Sequence, residues 1–195
     1  VGPTVGAQIQ RSALIACLLA IFAILVYVAF RYEFAFAVGA VVALLHDVLV
    51  TLAVFFLVGG QLSAPMVAAI LTVIGYSIND SIVIMDRIRE NLRLGMPGSF
   101  REVIDHSLNQ TLSRTLLTSG TLIIAVLALW LLGSGVIVDL AFAILVGTIA
   151  GTYSSLLIAS PIALWWHKGE RPKLGAPVSL QTSTTPASPT ARATA

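Results

Sequence analysis

Residues 12–30, SALIACLLAIFAILVYVAF, contain no charged side chain. A transmembrane helix needs about 20 predominantly apolar residues, so this run predicts a membrane span. The rest of the chain has the same character, because 57% of its 195 residues are hydrophobic and only 10% are charged. Soluble domains carry about 25% charged residues. The composition therefore predicts a membrane protein, and a net charge of +2 is too small to indicate a nucleic-acid partner.

Four more apolar runs follow the first and complete a predicted bundle of five transmembrane helices. Their predicted bounds are 34–58, 65–85, 115–132 and 140–166. Ser63 and Pro65 fit an N-cap and a first-turn proline for span three, and Asp139 fits a cap for span five. Pro161 is expected to bend span five near its end, because proline lacks the backbone donor that a helix needs.

The long polar stretch at residues 86–114 contains apolar residues at helical spacing from Phe100 to Leu112. This spacing predicts an amphipathic helix at the membrane interface. Gly95, Pro97 and Gly98 mark the turn before it. The predicted fold class is therefore all-α, a polytopic membrane bundle of five transmembrane helices with one cytoplasmic interfacial amphipathic helix.

Basic residues predict the orientation of the bundle. The loop between spans two and three and the loop between spans four and five contain none. The opposite side carries nearly all of them: Arg31, Arg87, Arg89, Arg93, Arg101, Arg114, Lys168, Arg171 and Lys173. Basic residues are enriched in cytoplasmic loops, so we expect the N-terminus outside and the C-terminus in the cytoplasm, with Arg11 as the single exception.

The chain begins with Val1 and shows no signal peptide before its first apolar run. We therefore expect it to be the C-terminal part of a longer protein. Residues 1–11 are predicted to be the end of a missing external domain, and residues 12–167 the membrane domain. Residues 168–195 are rich in Ser, Thr, Ala and Pro and are predicted to be a disordered cytoplasmic tail.

Asp80 is the strongest candidate for chemistry, because an Asp in mid-helix costs about 2.5–3.5 kcal/mol to insert into a membrane. It lies seven residues before Arg87, which is about 10 Å along a helix. Arg114, at the start of span four, is predicted at a similar depth. Arginine favours the ionised carboxylate and apolar burial favours the neutral acid. Asp80 could take up and release a proton when the helices shift, or the two residues could form a static ion pair.

Asp47 is the second intramembrane carboxylate, and it follows His46. Adjacent helical residues point about 100° apart, so we expect these two side chains not to face one target. A hydrogen-bonded packing role is favoured for Asp47. Core filling is favoured for Tyr153, and Gly147 with Gly151 forms a GxxxG pattern that predicts close helix packing.

Other chemistries lack their motifs in this sequence. There is no nucleotide-binding glycine loop, no metal-ligand spacing and no Ser/His/Asp arrangement on loops, and Cys17 is expected to be a packed small residue. The chain is therefore not predicted to be an enzyme and is predicted to need no cofactor. An ion gradient is the energy source that remains, at about 2.3 kcal/mol per charge per 100 mV.

Several long motifs resemble the SecF family of the resistance-nodulation-division superfamily. The longest is TVIGYSINDSIVIMDRIREN at 72–91. The others are VGPTVG before span one, the HD pair at 46–47, NQTLSRT at 109–115 and GTIAGTYSSLLIASP at 147–161. The resemblance covers nearly the whole stretch from Gly2 to Trp166. The family's first span and external domain, which precede VGP, are missing from this sequence, and the parent could be a separate SecF or a fused SecDF.

The resemblance implies the membrane domain of a proton-motive-force-driven auxiliary subunit of the Sec protein-export translocase, in the bacterial inner membrane. Expected partners are SecD, the SecYEG channel, YajC, YidC, the exported polypeptide and membrane lipid. The IND aspartate and the SRT arginine of the family, which form its proton-responsive pair, correspond to Asp80 and Arg114. Two alternatives remain: a proton-coupled exporter half for small molecules or lipids, and a passive membrane scaffold.

Overall fold

The protein is an all-α bundle in the computed structural model, which describes residues 3–31 and 34–172. Five of its helical segments are long and apolar enough to cross a membrane, and the predicted fold class is confirmed. The helices in chain order are α1 (Pro3–Arg31), α2 (Phe34–Leu57), α3 (Ala64–Arg93), α4 (Phe100–Leu132), α5 (Val136–Ser154) and α6 (Ser160–Trp166). A π-helical turn, Ser155–Ala159, joins α5 directly to α6.

Local sequence explains where the helices begin. Ser63 is the N-cap of α3 and accepts a hydrogen bond from the Met66 backbone N–H at 3.4 Å, as predicted. Ser99 and Glu102 form a reciprocal capping box at the start of α4. The prediction that Asp139 caps span five is wrong. The helix begins at Val136 after Gly135, whose φ of 57° lies in the left-handed region, and Asp139 falls in the first turn.

The predicted amphipathic helix forms as the first part of α4 and is continuous with span four. No proline or glycine interrupts the chain between Phe100 and Leu132 except Gly120, so one hydrogen-bond ladder continues into span four. Its apolar face is covered by protein, since Phe100, Val103 and Ile104 are buried. The face therefore packs into the bundle core, where Phe100 also contacts the His167 ring.

Span five changes its hydrogen-bond pattern where Pro161 was predicted to bend it. The proline ring would clash with the carbonyl four residues earlier and offers no N–H, and the π-helical turn immediately before α6 widens the helix there. Gly39 of α2 lies against this turn. A Cβ at Gly39 would lie 2.7 Å from the Ala159 carbonyl oxygen, so only glycine permits this approach.

Helix α5 is the centre of the bundle and packs against α2, α3 and α4. The GxxxG prediction is confirmed by geometry. A Cβ at Gly147 would lie 2.3 Å from Val73 Cγ2, and one at Gly151 would lie 3.2 Å from Ser77 Cβ. By contrast, α1 and α4 leave many large apolar side chains exposed, as helices that face lipid do.

The loops gather at two ends of the bundle, in agreement with the predicted alternation of spans. The α2–α3 loop lines one cavity together with Val136 and Asp139, which lie in the first turn of α5. At the other end, Arg171 donates hydrogen bonds to the carbonyls of Met96, at 2.6 Å, and Gly98. Residues 168–172, assigned by the sequence to the tail, are thus attached to the α3–α4 loop.

Residues 173–195 lie outside the described residues, as do Tyr32 and Glu33 of the predicted first turn.

We predict that Gly147→Ala destabilises the protein. The added methyl group meets Val73 of α3, and overpacking of this kind costs about 1–3 kcal/mol. Gly75→Ala is the matched control, because no atom of the described residues lies within 4 Å of a Cβ at that position. Its free energy of unfolding should stay level or rise by up to about 1 kcal/mol through helix propensity. Denaturant unfolding in detergent measures both, and equal stability of the two variants would contradict the proposed packing.

Candidate functional site

Polar side chains occupy the interior of the bundle at mid-span, where an apolar core would be expected. They come from α2, α3, α4, α5 and the segment that follows α5. The buried members are Asp47, Thr51, Ser77, Asp80, Ser81, Thr115, Ser119, Thr148, Ser154, Ser155 and Ser160. Small hydroxyl residues fit where the helices approach closely, and the two carboxylates give the layer its charge.

Asp47 is fully buried, and both of its carboxylate oxygens have hydrogen-bond partners. Its Oδ2 accepts a hydrogen bond from Ser77 Oγ of α3 at 2.6 Å and another from Ser154 Oγ of α5 at 2.8 Å. The sequence predicted a hydrogen-bonded packing role, and the contacts are of that kind. The same hydrogen bonds also join α2, α3 and α5 through one carboxylate.

As expected for adjacent residues of a helix, His46 and Asp47 have different further partners, although they also contact each other. The imidazole Nδ1 lies 3.1 Å from Asp47 Oδ1. On the other side of the ring, Nε2 lies 2.5 Å from the hydroxyl oxygen of Tyr153. Helix geometry predicts that adjacent side chains point in different directions, but the histidine ring is long enough to reach the neighbouring carboxylate. Tyr153, for which core filling was favoured, is half-exposed and hydrogen-bonded to His46.

Asp80 differs from Asp47 in its environment. Its side chain is only 3% exposed, yet no described residue offers a hydrogen bond to Oδ2. The hydroxyls of Ser81 and Thr115 are likewise buried and unpartnered within the described part of the chain. A buried carboxylate that lacks hydrogen bonds bears most of its desolvation cost, so its surroundings favour a change of charge or of conformation.

The structure does not bring Asp80 and Arg114 into direct contact. Ion pairs within 4.0 Å join His46 to Asp47, Arg87 to Glu90 and Arg101 to Asp105, and none between described residues joins Asp80 to Arg114. Arg114 is exposed on α4 and lines a cavity of about 560 Å³ at the basic end of the bundle. The other lining residues are Tyr27, Ile82, Val83, Asp86, Arg87, Glu90, Gln110 and Thr111. Arg114 therefore forms no salt bridge with Asp80 here, although it lies close enough to attract the carboxylate electrostatically.

A second hydroxyl network was not predicted. Ser119 of α4 accepts hydrogen bonds from Tyr76 of α3 at 3.1 Å and from Thr152 of α5 at 2.9 Å. It joins three helices on the side of the core that α4 covers. No single motif marks it, although polar residues at mid-span in three predicted spans were a signal. Within the described residues, no group of three His, Cys, Asp or Glu side chains could hold a metal ion.

Comparison with known proteins agrees with this architecture. The family described as "Protein export membrane protein SecD/SecF, C-terminal" matches residues 1–169. The protein translocase subunit SecF of Desulfurispirillum indicum is 50% identical over 170 residues, which are 86% of this chain and 54% of that protein. The protein translocase subunit SecDF of Thermus thermophilus is 46% identical over 166 residues, which are 85% of this chain and 23% of that protein.

A solved structure extends the likeness to three dimensions. The crystal structure of SecDF from Thermus, described as a translocon-associated membrane protein, superposes with a TM-score of 0.81 at 45% identity. The match covers 86% of this chain and 23% of that one. This chain thus spans from about a quarter to about half the length of these relatives.

Fold and site together define a polytopic helical membrane protein with a buried polar centre that contains two carboxylates. The chain belongs to the SecD/SecF family of protein-export membrane proteins, and the match covers its C-terminal membrane region. The family resemblance read from the motifs is confirmed.

We predict that Ser77→Ala lowers the free energy of unfolding by about 1.5–3 kcal/mol, because it removes a hydrogen bond to a buried charged group. Ser113→Ala, on the exposed surface of α4, is the control and should change stability by less than about 0.5 kcal/mol. Denaturant unfolding in detergent compares the two. If Ser77→Ala were as stable as the control, Asp47 would not depend on this contact.

Proposed function

We propose that this chain is the membrane domain of an auxiliary subunit of the Sec protein-export translocase, driven by the proton-motive force. One observation carries the proposal. In a chain that belongs to the SecD/SecF family, a spanning helix holds the buried carboxylate of Asp80, and no hydrogen bond satisfies its Oδ2 among the described residues. Retaining such a costly group in a membrane favours a role in ion transfer over a role in packing.

Asp80 and Arg114 act as the proton-responsive pair in this proposal. Here the two groups attract each other electrostatically without forming a salt bridge, so a small movement is enough to bring them together or apart. Arg114 shares its cavity with Ile82 and Val83, which lie two and three residues beyond Asp80 on α3. A small rotation or shift of α3 against α4 changes their distance. Protonation of Asp80 removes its attraction to the guanidinium, so proton binding and helix position are coupled.

The placement in the membrane follows from the two ends of the bundle. We propose that the basic end, with Arg87, Arg93 and Arg101, faces the cytoplasm of a bacterial inner membrane. The C-terminus is then cytoplasmic and the N-terminus external, and helix movement is transmitted outward through α1. Expected partners are SecD, the SecYEG channel, YajC, YidC, the exported polypeptide and membrane lipid, and no cofactor or enzymatic step is required.

Two other functions make different predictions. A small-molecule or lipid exporter half of the same superfamily would export its substrate without the SecYEG channel. A passive scaffold would function with a neutral residue at position 80. The unsatisfied carboxylate speaks against the scaffold, because a structural role would be served better by a paired or apolar residue.

We predict that Asp80→Asn in the full-length parent abolishes the gradient-dependent part of protein export, because the amide cannot bind and release a proton. Export into inverted membrane vesicles, with and without a proton gradient, measures this. Asp139→Asn is the matched control, since it makes the same change at an exposed position. Normal gradient-dependent export by Asp80→Asn at normal membrane levels would refute the motor and favour the scaffold.

We predict that Arg114→Gln also reduces gradient-dependent export, while Arg114→Lys retains part of it because the positive charge is kept. Arg101→Gln is the control and should export normally, because Arg101 is exposed on the same helix and its salt bridge, at 3.9 Å, is to the exposed Asp105. The same vesicle assay applies. Full activity of Arg114→Gln would separate Arg114 from the proton cycle and leave Asp80 acting alone.

A further inference from the structure

A chain of hydrogen bonds leads from the bundle surface to its interior through Tyr153, His46 and Asp47. The exposed fraction falls along it, from 39% for Tyr153 to 29% for the His46 side chain and 0% for Asp47. The donor–acceptor distances are 2.5 Å from the Tyr153 hydroxyl to His46 Nε2 and 3.1 Å from His46 Nδ1 to Asp47 Oδ1. Both ring nitrogens of His46 therefore take part in hydrogen bonds.

The direction of each hydrogen bond follows from the groups at the inner end. Asp47 Oδ2 accepts two hydroxyl hydrogens, from Ser77 and Ser154. A carboxylate has no hydrogen to give, so His46 Nδ1–H donates to Oδ1. Nε2 of the neutral ring is then an acceptor and takes the Tyr153 hydroxyl hydrogen. Every hydrogen points inward, which is the arrangement required to pass a proton from Tyr153 to Asp47.

We propose that Asp47 is a second proton-binding site, loaded through Tyr153 and His46. The inference rests on the proposed proton-driven function. In the loading step a proton binds the Tyr153 oxygen as the hydroxyl proton moves to His46 Nε2, and the His46 Nδ1 proton moves to Asp47 Oδ1. Tyr153 and His46 finish neutral, with the histidine hydrogen on Nε2. Asp47 changes from a carboxylate to a carboxylic acid, and the site gains one proton.

Loading changes the contacts among three helices. The neutral acid accepts hydrogen bonds more weakly than the carboxylate does, so the bonds from Ser77 and Ser154 weaken together. Ser77 lies one turn before Asp80 on α3, which links the charge of Asp47 to the position of Asp80. Among the ionisable groups of the described residues, His46 contacts Asp47 from its own helix, and Tyr153 of α5 contacts His46. Asp80 lies three residues beyond Ser77, the hydrogen-bond partner of Asp47 on α3.

The test measures gradient-driven proton uptake by the full-length parent and its partner subunits in proteoliposomes that contain a pH-sensitive dye. His46→Gln retains a donor toward Asp47 but cannot pass a proton across the side chain. We expect uptake to fall by roughly 10²-fold, the effect of losing a positioned proton-transfer group. His106→Gln, at an exposed position on α4, is the matched control and should leave uptake unchanged. Tyr153→Phe should also lower uptake, because it removes only the outer hydroxyl.

Rescue separates proton transfer from packing. Imidazole added to His46→Ala should restore uptake, whereas 1-methylimidazole, which can carry a proton on one nitrogen only, should not. Equal rescue by both compounds would indicate space filling and overturn the relay. Normal uptake by His46→Gln, or by Tyr153→Phe if His46→Gln does not accumulate, would overturn it as well. Asp80→Asn in the same assay tests the proposed function separately: uptake blocked only in Asp80→Asn would refute the relay and leave the motor intact.

Discussion

The close approach of α5 to α2 and α3 is the constraint on which the rest of the structure depends. Gly147 and Gly151 remove the side chains that would hold these helices apart, since a Cβ at either position would meet α3. Within lipid, helix association relies on van der Waals packing and on interhelical hydrogen bonds, because lipid chains are as apolar as the side chains they would replace. Only at this separation can short serine hydroxyls on α3 and α5 reach a carboxylate on α2.

Both intramembrane carboxylates carry a desolvation cost, and they differ in how far hydrogen bonds offset it. Asp47 offsets its desolvation with hydrogen bonds from Ser77, Ser154 and His46. Asp80 is nearly as buried, and its Oδ2 lacks such bonds within the described residues. One carboxylate is thus fully hydrogen-bonded and the other is not. In the proposed function both take up protons, Asp47 through its hydrogen-bond chain and Asp80 through its pairing with Arg114.

The continuity of α4 has a mechanical consequence. Because the amphipathic segment and span four form one helix of 33 residues, a movement at Thr115 or Ser119 is carried without a hinge to the buried face at Phe100. Arg171 donates a hydrogen bond to the Met96 carbonyl in the loop before α4. The segment after α6 is therefore joined to this loop at the basic end of the bundle. In contrast, the π-helical turn after Ser154 interrupts the ladder of α5 next to the buried serines. Such turns are frequently found at functional sites.

The sequence by itself determined the helical class, the five spans, the Ser63 cap, the GxxxG packing and the family. Each follows from composition, from residue spacing or from motifs read along one chain, and lipid allows a spanning backbone few alternatives. Only the tertiary structure decided which polar groups meet. Helix rotation and side-chain rotamers decide the hydrogen bonds among Asp47, Ser77 and Ser154 and the contact between His46 and Asp47. They also decide that Arg114 forms no salt bridge with Asp80 in this structure. Residue spacing fixes the direction of a side chain relative to its own helix axis, whereas contacts between helices are set by how the whole bundle packs.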